Sequence, residues 1–161
     1  MSARVACLLA LVSGCRGVTG VGGDRHAMAP AARPVVEIVT ASGARHPVRV
    51  EVAVTEDEQR RGLMQRRHLG VDDGMLFVFP SETRQSFWMH DTLLPLDMLF
   101  VRSDGRVAGI VENAEPLTDT PRGVQARSRY VLEVNGGWCA AHGVAAGDQF
   151  VLSAALTAPS R

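Results

Sequence analysis

The stretch FWMHDTLLPLDMLF, residues 87–100, brings an aromatic pair, a histidine and two aspartates into a run that is otherwise apolar. An indole ring can wall a shallow pocket and stack on a sugar or another planar group, and polar neighbours can orient such a ligand. Trp88, Thr92 and Asp97 therefore form a candidate ligand-binding site, with His90 tuning its charge near neutral pH. Core packing of Trp88 is the competing interpretation, because aromatic side chains in strands mostly pack.

Asp97 is the most informative residue of this stretch. In a strand it shares one face with Leu99 and Val101, whereas the flanking apolar residues take the other face. A dry, unpaired carboxylate costs several kcal/mol or becomes neutral through a raised pKa. Two interpretations stay open: backbone amides or an arginine satisfy Asp97 and make it structural, or Asp97 binds a ligand or an ion.

Cys139 and His142 are spaced like neighbours on one helical face, with Asp148 nearby in sequence. This pattern could represent a thiol nucleophile and its base. Such pairs normally converge from separate elements, and no oxyanion-hole candidate accompanies this one. A packed thiol is the favoured interpretation.

Methionines also raise the question of a metal site, since thioether sulfur suits Cu(I). The candidates are Met64, Met75, Met89 and Met98, together with His90. Met89 and His90 are consecutive in a presumed strand and would point to opposite faces, and no M-x-M or H-x-H pair occurs. A zinc site is not expected either, because the sequence has no clustered pair of Cys or His residues to bind the ion. We therefore expect no metal and no cofactor.

A binding or scaffolding module is favoured over an enzyme, because the sequence contains no nucleophile–base or paired-carboxylate motif and hence no catalytic candidate. An envelope enzyme that acts through the Trp88/Asp97 region on a small or polymeric substrate is the alternative. A copper-binding protein is the third and least favoured class.

Short strands dominate the predicted elements. Alternating valines in HPVRVEVAVT (Val48, Val50, Val52 and Val54) indicate a half-buried strand, and MLFVF, ended by Pro80, indicates a strand buried on both sides. LDMLFVRSDGRVAGIVE predicts a hairpin that turns at Asp104 and Gly105. VVEIVT, YVLEV and DQFVLSAAL complete the predicted set. The expected fold is mainly β (α+β), a compact, small, barrel-like domain with one or two short helices.

Two short helices are predicted. Thr55 lies three residues before Glu58, the capping-box pattern, so a helix should run from Glu56 to about Gln65. Its arginines (Arg60, Arg61, Arg66 and Arg67) should pair with the acidic residues of its first turn on a solvated face. GGWCAAHG predicts a second, glycine-bounded helical turn.

The first 15 residues resemble a secretory signal, with Arg4, an apolar run and small residues ending at Cys15. The run is shorter than the roughly 20 residues that span a bilayer. VSGC resembles a lipobox, so Cys15 is the candidate lipidation site. Residues 16–34, rich in glycine, alanine and proline, predict a flexible tether to a domain at 35–156, followed by a tail at 157–161.

This layout predicts an exported protein anchored by its N-terminal lipid to the periplasmic face of the outer membrane, with secreted or soluble periplasmic protein as the alternative. Small molecules or envelope polymers are the expected ligands. Nucleic acid is not expected, because 17 arginines balance 17 acidic residues and the net charge is zero. Only Cys139 would remain as a free thiol, so no intramolecular disulfide is predicted.

The order of GLM, GMLFVF, FWMHDTLLPLDMLFV, YVLEV and GD resembles the domain-of-unknown-function 192 (DUF192) family of bacteria and archaea, over roughly residues 35–151. The resemblance implies a compact β-rich domain, often exported or lipid-anchored, with no established reaction. Residues at matching positions are the site candidates that it implies: Met64, Trp88, Thr92, Pro95, Asp97 and Glu133. Family members usually have Lys-Asn where this chain has His90 and Asp91, which argues against an essential catalytic role for either.

Overall fold

The structure, a computed structural model, describes residues 33–153. Its elements are β1 (Val35–Val39), β2 (Arg45–Ala53), α1 (Glu56–Arg61), β3 (Asp73–Thr83), β4 (Leu96–Val101), β5 (Val107–Ala114), β6 (Ser128–Asn135), α2 (Trp138–His142) and β7 (Gln149–Leu152). The predicted mainly β class with two short helices is confirmed. The predicted signal segment with Cys15, most of the tether and the C-terminal tail lie outside the described residues.

One sheet contains all seven strands in the order β5-β4-β6-β3-β2-β1-β7. Neighbouring strands are antiparallel except β2 and β3, which are parallel. The sheet curls until its two edge strands meet at one end, where Arg106 bridges to Gln149. There the Val107 amide donates to the Asp148 carbonyl at 2.9 Å, and the Phe150 amide donates to the Gly105 carbonyl at 2.7 Å. We call this contact the seam, and it gives the sheet its barrel-like shape.

Each face of the sheet packs its own apolar cluster. β4 contributes to both, because Leu99 and Val101 lie in one cluster and Leu96, Met98 and Phe100 lie in the other. The alternation predicted for this strand is confirmed. All six of its residues are buried, so Asp97 has no solvent to satisfy its carboxylate.

The alternating valines of β2 behave as predicted only while the strand lasts. Val48 and Val50 are fully buried and Val54 is 59% exposed, because the strand ends at Ala53. Thr55 then caps α1, and its hydroxyl accepts from the Glu58 amide at 3.3 Å. The predicted capping box is confirmed.

Helix α1 ends at Arg61 rather than at Gln65. The following Gly62 has a φ of +46° and closes the helix with a backbone bond to the Glu58 carbonyl, a conformation that favours glycine. The predicted pairing of its charges holds only in part. Arg60 contacts Asp57, whereas Arg66 pairs with Glu51 of β2.

Two further predictions need adjustment. β3 continues past Pro80, because a register irregularity between Val78 and Thr83 accommodates the missing amide. The segment around Met89 and His90 is not a strand; Phe87 makes an isolated bridge to Arg122. The hairpin predicted at Gly105 is confirmed, with a φ of +82° there.

Helices long and apolar enough to cross a membrane are absent from residues 33–153.

Candidate functional site

A pocket of about 210 Å³ lies between α1, the sheet and the segment 85–92. Helix α1 and the turn after it supply Arg60, Arg61 and Met64, and the sheet supplies Phe77, Phe79 and Glu133. The segment 85–92 closes the other side with Phe87, Trp88 and Thr92. The pocket is therefore lined by an aromatic wall, one acidic residue and two arginines.

Glu133 reaches this pocket because of its position in β6. Alternation along the strand puts Val131 and Glu133 on one face, with Leu132 and Val134 on the other. The cross-strand neighbours of Glu133 are Met75 of β3 and Met98 of β4. Neither thioether can donate a hydrogen bond, so the sheet itself leaves this carboxyl without a partner.

The Glu133 side chain is buried, with 4% of the residue exposed. No hydrogen bond to its carboxyl comes from any residue between 33 and 153. Burial alone raises the pKa of Glu133 from 4.5 to about 8, because low-polarity surroundings disfavour the charged form. An acid with this pKa can donate a hydrogen bond when neutral and can balance a cation when ionised.

Phe87 organises the aromatic wall. Its ring makes edge contacts with Phe77 at a centroid distance of 5.0 Å and with Phe79 at 6.3 Å. Its backbone exchanges two hydrogen bonds with Arg122, at 2.8 and 2.7 Å. The ring is therefore held in place before any ligand arrives.

Trp88 lies at the pocket opening with 49% of its surface exposed. The core-packing interpretation is therefore wrong for Trp88, whereas the next residue, Met89, is fully buried. The indole stacks on the His90 ring, with centroids 5.2 Å apart. His90 in turn contacts Asp119 through Nδ1 at 2.8 Å. That hydrogen bond, followed by the charge of Asp119, raises the pKa of His90.

Thr92 also lines the pocket, and it is 6% exposed. Its hydroxyl donates to the backbone carbonyl of His90 at 3.2 Å, and its amide donates to the Met89 carbonyl at 3.1 Å. Thr92 thus stabilises the turn that carries Trp88.

Asp97 lies away from the pocket. Its carboxylate accepts from the backbone amides of Asn113 at 2.8 Å, Gly137 at 3.0 Å and Cys139 at 2.8 Å. These three bonds join β4 to the end of β5 and to the start of α2. Of the two interpretations of Asp97 that the sequence left open, the contacts agree with the first, in which backbone amides satisfy the carboxylate and make it structural.

Four of the six ligand-binding candidates are thus brought together: Met64, Trp88, Thr92 and Glu133. His90 lies beside the pocket, behind Trp88, and Asp97 is elsewhere in the core. Sequence reasoning missed Arg60, Arg61 and the phenylalanines as pocket residues. The only signal for them was the proximity of Phe87 to Trp88 in the chain.

The Cys139/His142 pair does not form a nucleophile and base. Cys139 is fully buried, and burial, followed by the charge of Asp97, raises the pKa of its thiol. His142 donates from Nδ1 to the Trp138 carbonyl at 2.8 Å and stacks on the indole of Trp138. Both residues pack α2 against the sheet.

Within residues 33–153, no group of three or more His, Cys, Asp or Glu side chains is placed to hold a metal ion. Of the methionines, Met75 and Met98 flank Glu133. His90, the nitrogen ligand considered with them, is 48% exposed and paired with Asp119.

The fold and the pocket define a class: a small curled-sheet domain with an aromatic pocket above one face. The chain belongs to the DUF192 family, described as an uncharacterized ACR, whose model matches residues 37–152. The resemblance seen in the sequence is thereby confirmed.

Two solved structures are similar to this one. A candidate transcription regulator from Sinorhizobium meliloti 1021 is 42% identical with a TM-score of 0.72, over 74% of this chain and 92% of that chain. A protein of unknown function from Novosphingobium aromaticivorans DSM 12444 is 40% identical with a TM-score of 0.71, over 77% of this chain and 93% of that one. A comparison with curated proteins found no match.

Proposed function

We propose that this domain is a non-catalytic binding module of the cell envelope, and that it holds a small ligand between α1 and the segment 85–92. One observation carries the proposal: Glu133, a buried carboxyl group without a hydrogen-bond partner, lines an aromatic pocket. Burying such a group unpaired opposes folding. Strongly perturbed carboxyls in clefts are typical of functional sites, where a ligand supplies the missing partner.

Binding is favoured over catalysis by what accompanies Glu133. The charged side chains that line the pocket within the described residues are Arg60, Arg61 and Glu133, and neither a histidine nor a cysteine is among its lining residues. The alternative envelope enzyme is supported by the burial of Glu133 beside the pocket, which raises the pKa of this carboxyl in the direction that suits a general acid or base. Asp97, satisfied by three backbone amides, is unsuited to that role.

The envelope location rests on the N-terminal sequence, where VSGC offers Cys15 for lipidation. The proposed partner of the N-terminus is the membrane, to which the lipid on Cys15 would attach the protein. Attachment to the outer membrane is favoured over a soluble periplasmic or secreted form. Small molecules or envelope polymers are the proposed ligands. A nucleic-acid partner is not proposed, because a chain of zero net charge lacks the positive surplus that phosphate binding uses.

The test is retention of ligand by the purified protein. Native mass spectrometry of the wild-type protein, released from its producing cells without denaturation, should show a bound small molecule. Trp88→Ala should lose that molecule while unfolding at nearly the wild-type denaturant concentration. Half-exposed Trp88 contributes less to stability than a core tryptophan, whose removal costs about 3 to 5 kcal/mol.

Val71→Ala is the matched control, since Val71 is 74% exposed and lies outside the pocket. This variant should keep the ligand. A ligand-free wild-type protein that also gains no thermal stability from a metabolite screen would refute the binding module. Turnover of a substrate that Glu133→Gln abolishes would favour the enzyme instead.

A further inference from the structure

We infer that the pocket selects a small zwitterion, whose ammonium group pairs with the Glu133 carboxylate and whose anionic group pairs with Arg60 and Arg61. This inference rests on the proposed function and assigns the ligand class. It follows from the placement of opposite charges in one pocket of about 210 Å³.

The ammonium end is assigned from Glu133 and the aromatic wall. Glu133 is the acidic side chain that lines the pocket, and no described residue donates to it. Phe79, Phe87 and Trp88 surround the same space, and the negative faces of aromatic rings attract cations within about 6 Å of the ring centre. A carboxylate beside aromatic rings is thus suited to an organic ammonium ion.

The anionic end is assigned from the two arginines. Arg61 is exposed and makes no ion pair with any residue between 33 and 153. Arg60 contacts Asp57 at 3.0 Å, but both side chains are well exposed, at 67% and 93%. Exposed pairs of this kind contribute little, so Arg60 is free to turn toward a carboxylate, for which guanidinium has the matching geometry.

The size of the pocket limits the ligand. Typical sites for drug-sized molecules enclose about 300 to 1,000 Å³, and this one is smaller. An amino-acid-sized zwitterion therefore matches the space that the pocket encloses.

Protonation of Glu133 gives the inference a specific signature. The neighbouring strands place Met75 and Met98 beside Glu133. Among the pocket-lining residues, the segment 85–92 contributes no charged side chain, and α1 contributes Arg60 and Arg61. Burial keeps most Glu133 carboxyls protonated at neutral pH, whereas an ammonium ion favours the ionised form. Binding must then release a proton, and affinity must rise as the pH approaches the pKa of the free site.

The experiment is titration calorimetry of the full chain with 4-aminobutanoate, and with butylammonium and butyrate as single-charge probes. Repeating each titration in buffers of different ionisation enthalpy gives the number of protons released. We expect 4-aminobutanoate to bind best, with about one proton released near pH 7 and at least about tenfold tighter binding near pH 9 than near pH 6. Glu133→Gln should abolish the proton release and weaken binding about tenfold or more.

Arg61→Gln should weaken the binding of 4-aminobutanoate and leave the affinity for butylammonium unchanged. This difference would identify Arg61 as a partner of the anionic group. Glu115→Gln is the control, because Glu115 is exposed and lies outside the pocket. This variant should leave the affinity for both compounds unchanged. Stronger binding of butyrate, binding without proton release, or no binding of any probe at about 1 mM would overturn the zwitterion assignment. The binding module itself would survive those results if native mass spectrometry still showed a retained ligand of another charge.

Discussion

Two buried carboxyl groups on neighbouring strands face opposite sides of the sheet and have opposite surroundings. Asp97 of β4 accepts three backbone hydrogen bonds, whereas Glu133 of β6 lies between two methionines. A carboxylate that accepts several amide bonds is a stabilising junction. A carboxyl without partners is a cost to the folded state that a ligand can offset.

Asp97→Asn should destabilise the domain by about 2 to 4 kcal/mol. An amide side chain keeps the shape, but its NH₂ group must face at least one backbone amide, and each lost charge-assisted bond contributes about 1.5 to 3 kcal/mol. Urea unfolding measures the change. Asp91→Asn is the control, because Asp91 is exposed and has a φ of +51° that asparagine tolerates; equal stability of the two variants would contradict the junction role.

Glu133 predicts a pH dependence of stability. Its folded pKa, about 8, is above the unfolded value of 4.5, so the folded state binds the proton more tightly. The free energy of unfolding is therefore unaffected by Glu133 ionisation below pH 4.5. It decreases as the pH rises from 4.5 to about 8, because the unfolded state loses the proton first. The loss is roughly 3 to 5 kcal/mol.

Glu133→Gln should remove that loss. The variant should be more stable than wild type above pH 8 and nearly equal to it in acid, as urea unfolding across this range would show. His90, whose pKa is also raised, is present in both proteins, so its contribution cancels in the comparison. Parallel pH curves for the two proteins would argue against a buried, unpaired acid.

At the level of elements, the seam between the β4–β5 hairpin and β7 decides whether the sheet stays open or closes. Gly105 makes this contact possible. A Cβ at this position would lie 2.5 Å from Nε2 of Gln149 and 2.7 Å from the carbonyl of Phe150. The turn residue is therefore constrained both by its φ and by the strand that docks beside it.

Gly105→Ala should cost more stability than its φ alone explains. Gly43 offers the control, because its φ is +85° and a Cβ there would meet nothing within 4 Å. Gly43→Ala should cost about 1 to 2 kcal/mol, and Gly105→Ala should exceed it by about 1 kcal/mol or more. Amide hydrogen exchange should also accelerate at Val107 and Phe150 in Gly105→Ala only; equal effects in both variants would mean that the seam does not hold the sheet closed.

At the level of the whole molecule, the proposed N-terminal anchor and the folded domain would have separate roles. The anchor would fix the protein to the membrane, and the domain would present its pocket to the periplasm. Zero net charge supplies no electrostatic attraction to anionic lipid headgroups, so membrane attachment would depend on the lipid alone.

Cys15→Ala should therefore move the protein from the membrane fraction to the soluble fraction. A lipoprotein N-terminus carries several acyl chains, so the wild-type protein should stay with membranes through a high-salt wash. Fractionation followed by immunoblotting measures both, and Cys7→Ala, a change within the same apolar run, serves as the control. Wild-type protein that is soluble without detergent would rule out the anchor.

Local signals in the sequence were sufficient for the mainly β class and for several elements. The capping box at Thr55 and Glu58 and the turn at Gly105 depend on residues a few positions apart, and hydrophobic alternation separated the two faces of β4. Periodicity could not show where α1 ends, because Gly62 adopts its closing conformation within the helix pattern predicted to continue to Gln65. It also could not show that the chain around Met89 leaves the sheet.

Only the tertiary structure decided which candidate residues meet. The amides that satisfy Asp97 come from residues 16, 40 and 42 positions away, and the same carboxylate pattern in sequence would equally allow a ligand site. Glu133 enters the pocket because β6 pairs between β3 and β4, which puts methionines, not donors, beside it. The side chain of Gln59 ties α1 to the Val78 carbonyl of β3 at 2.9 Å, and that docking brings α1 to the edge of the pocket that Trp88 also lines. Strand order and helix docking depend on the packing of the whole chain, and for that reason no short stretch of sequence contains them.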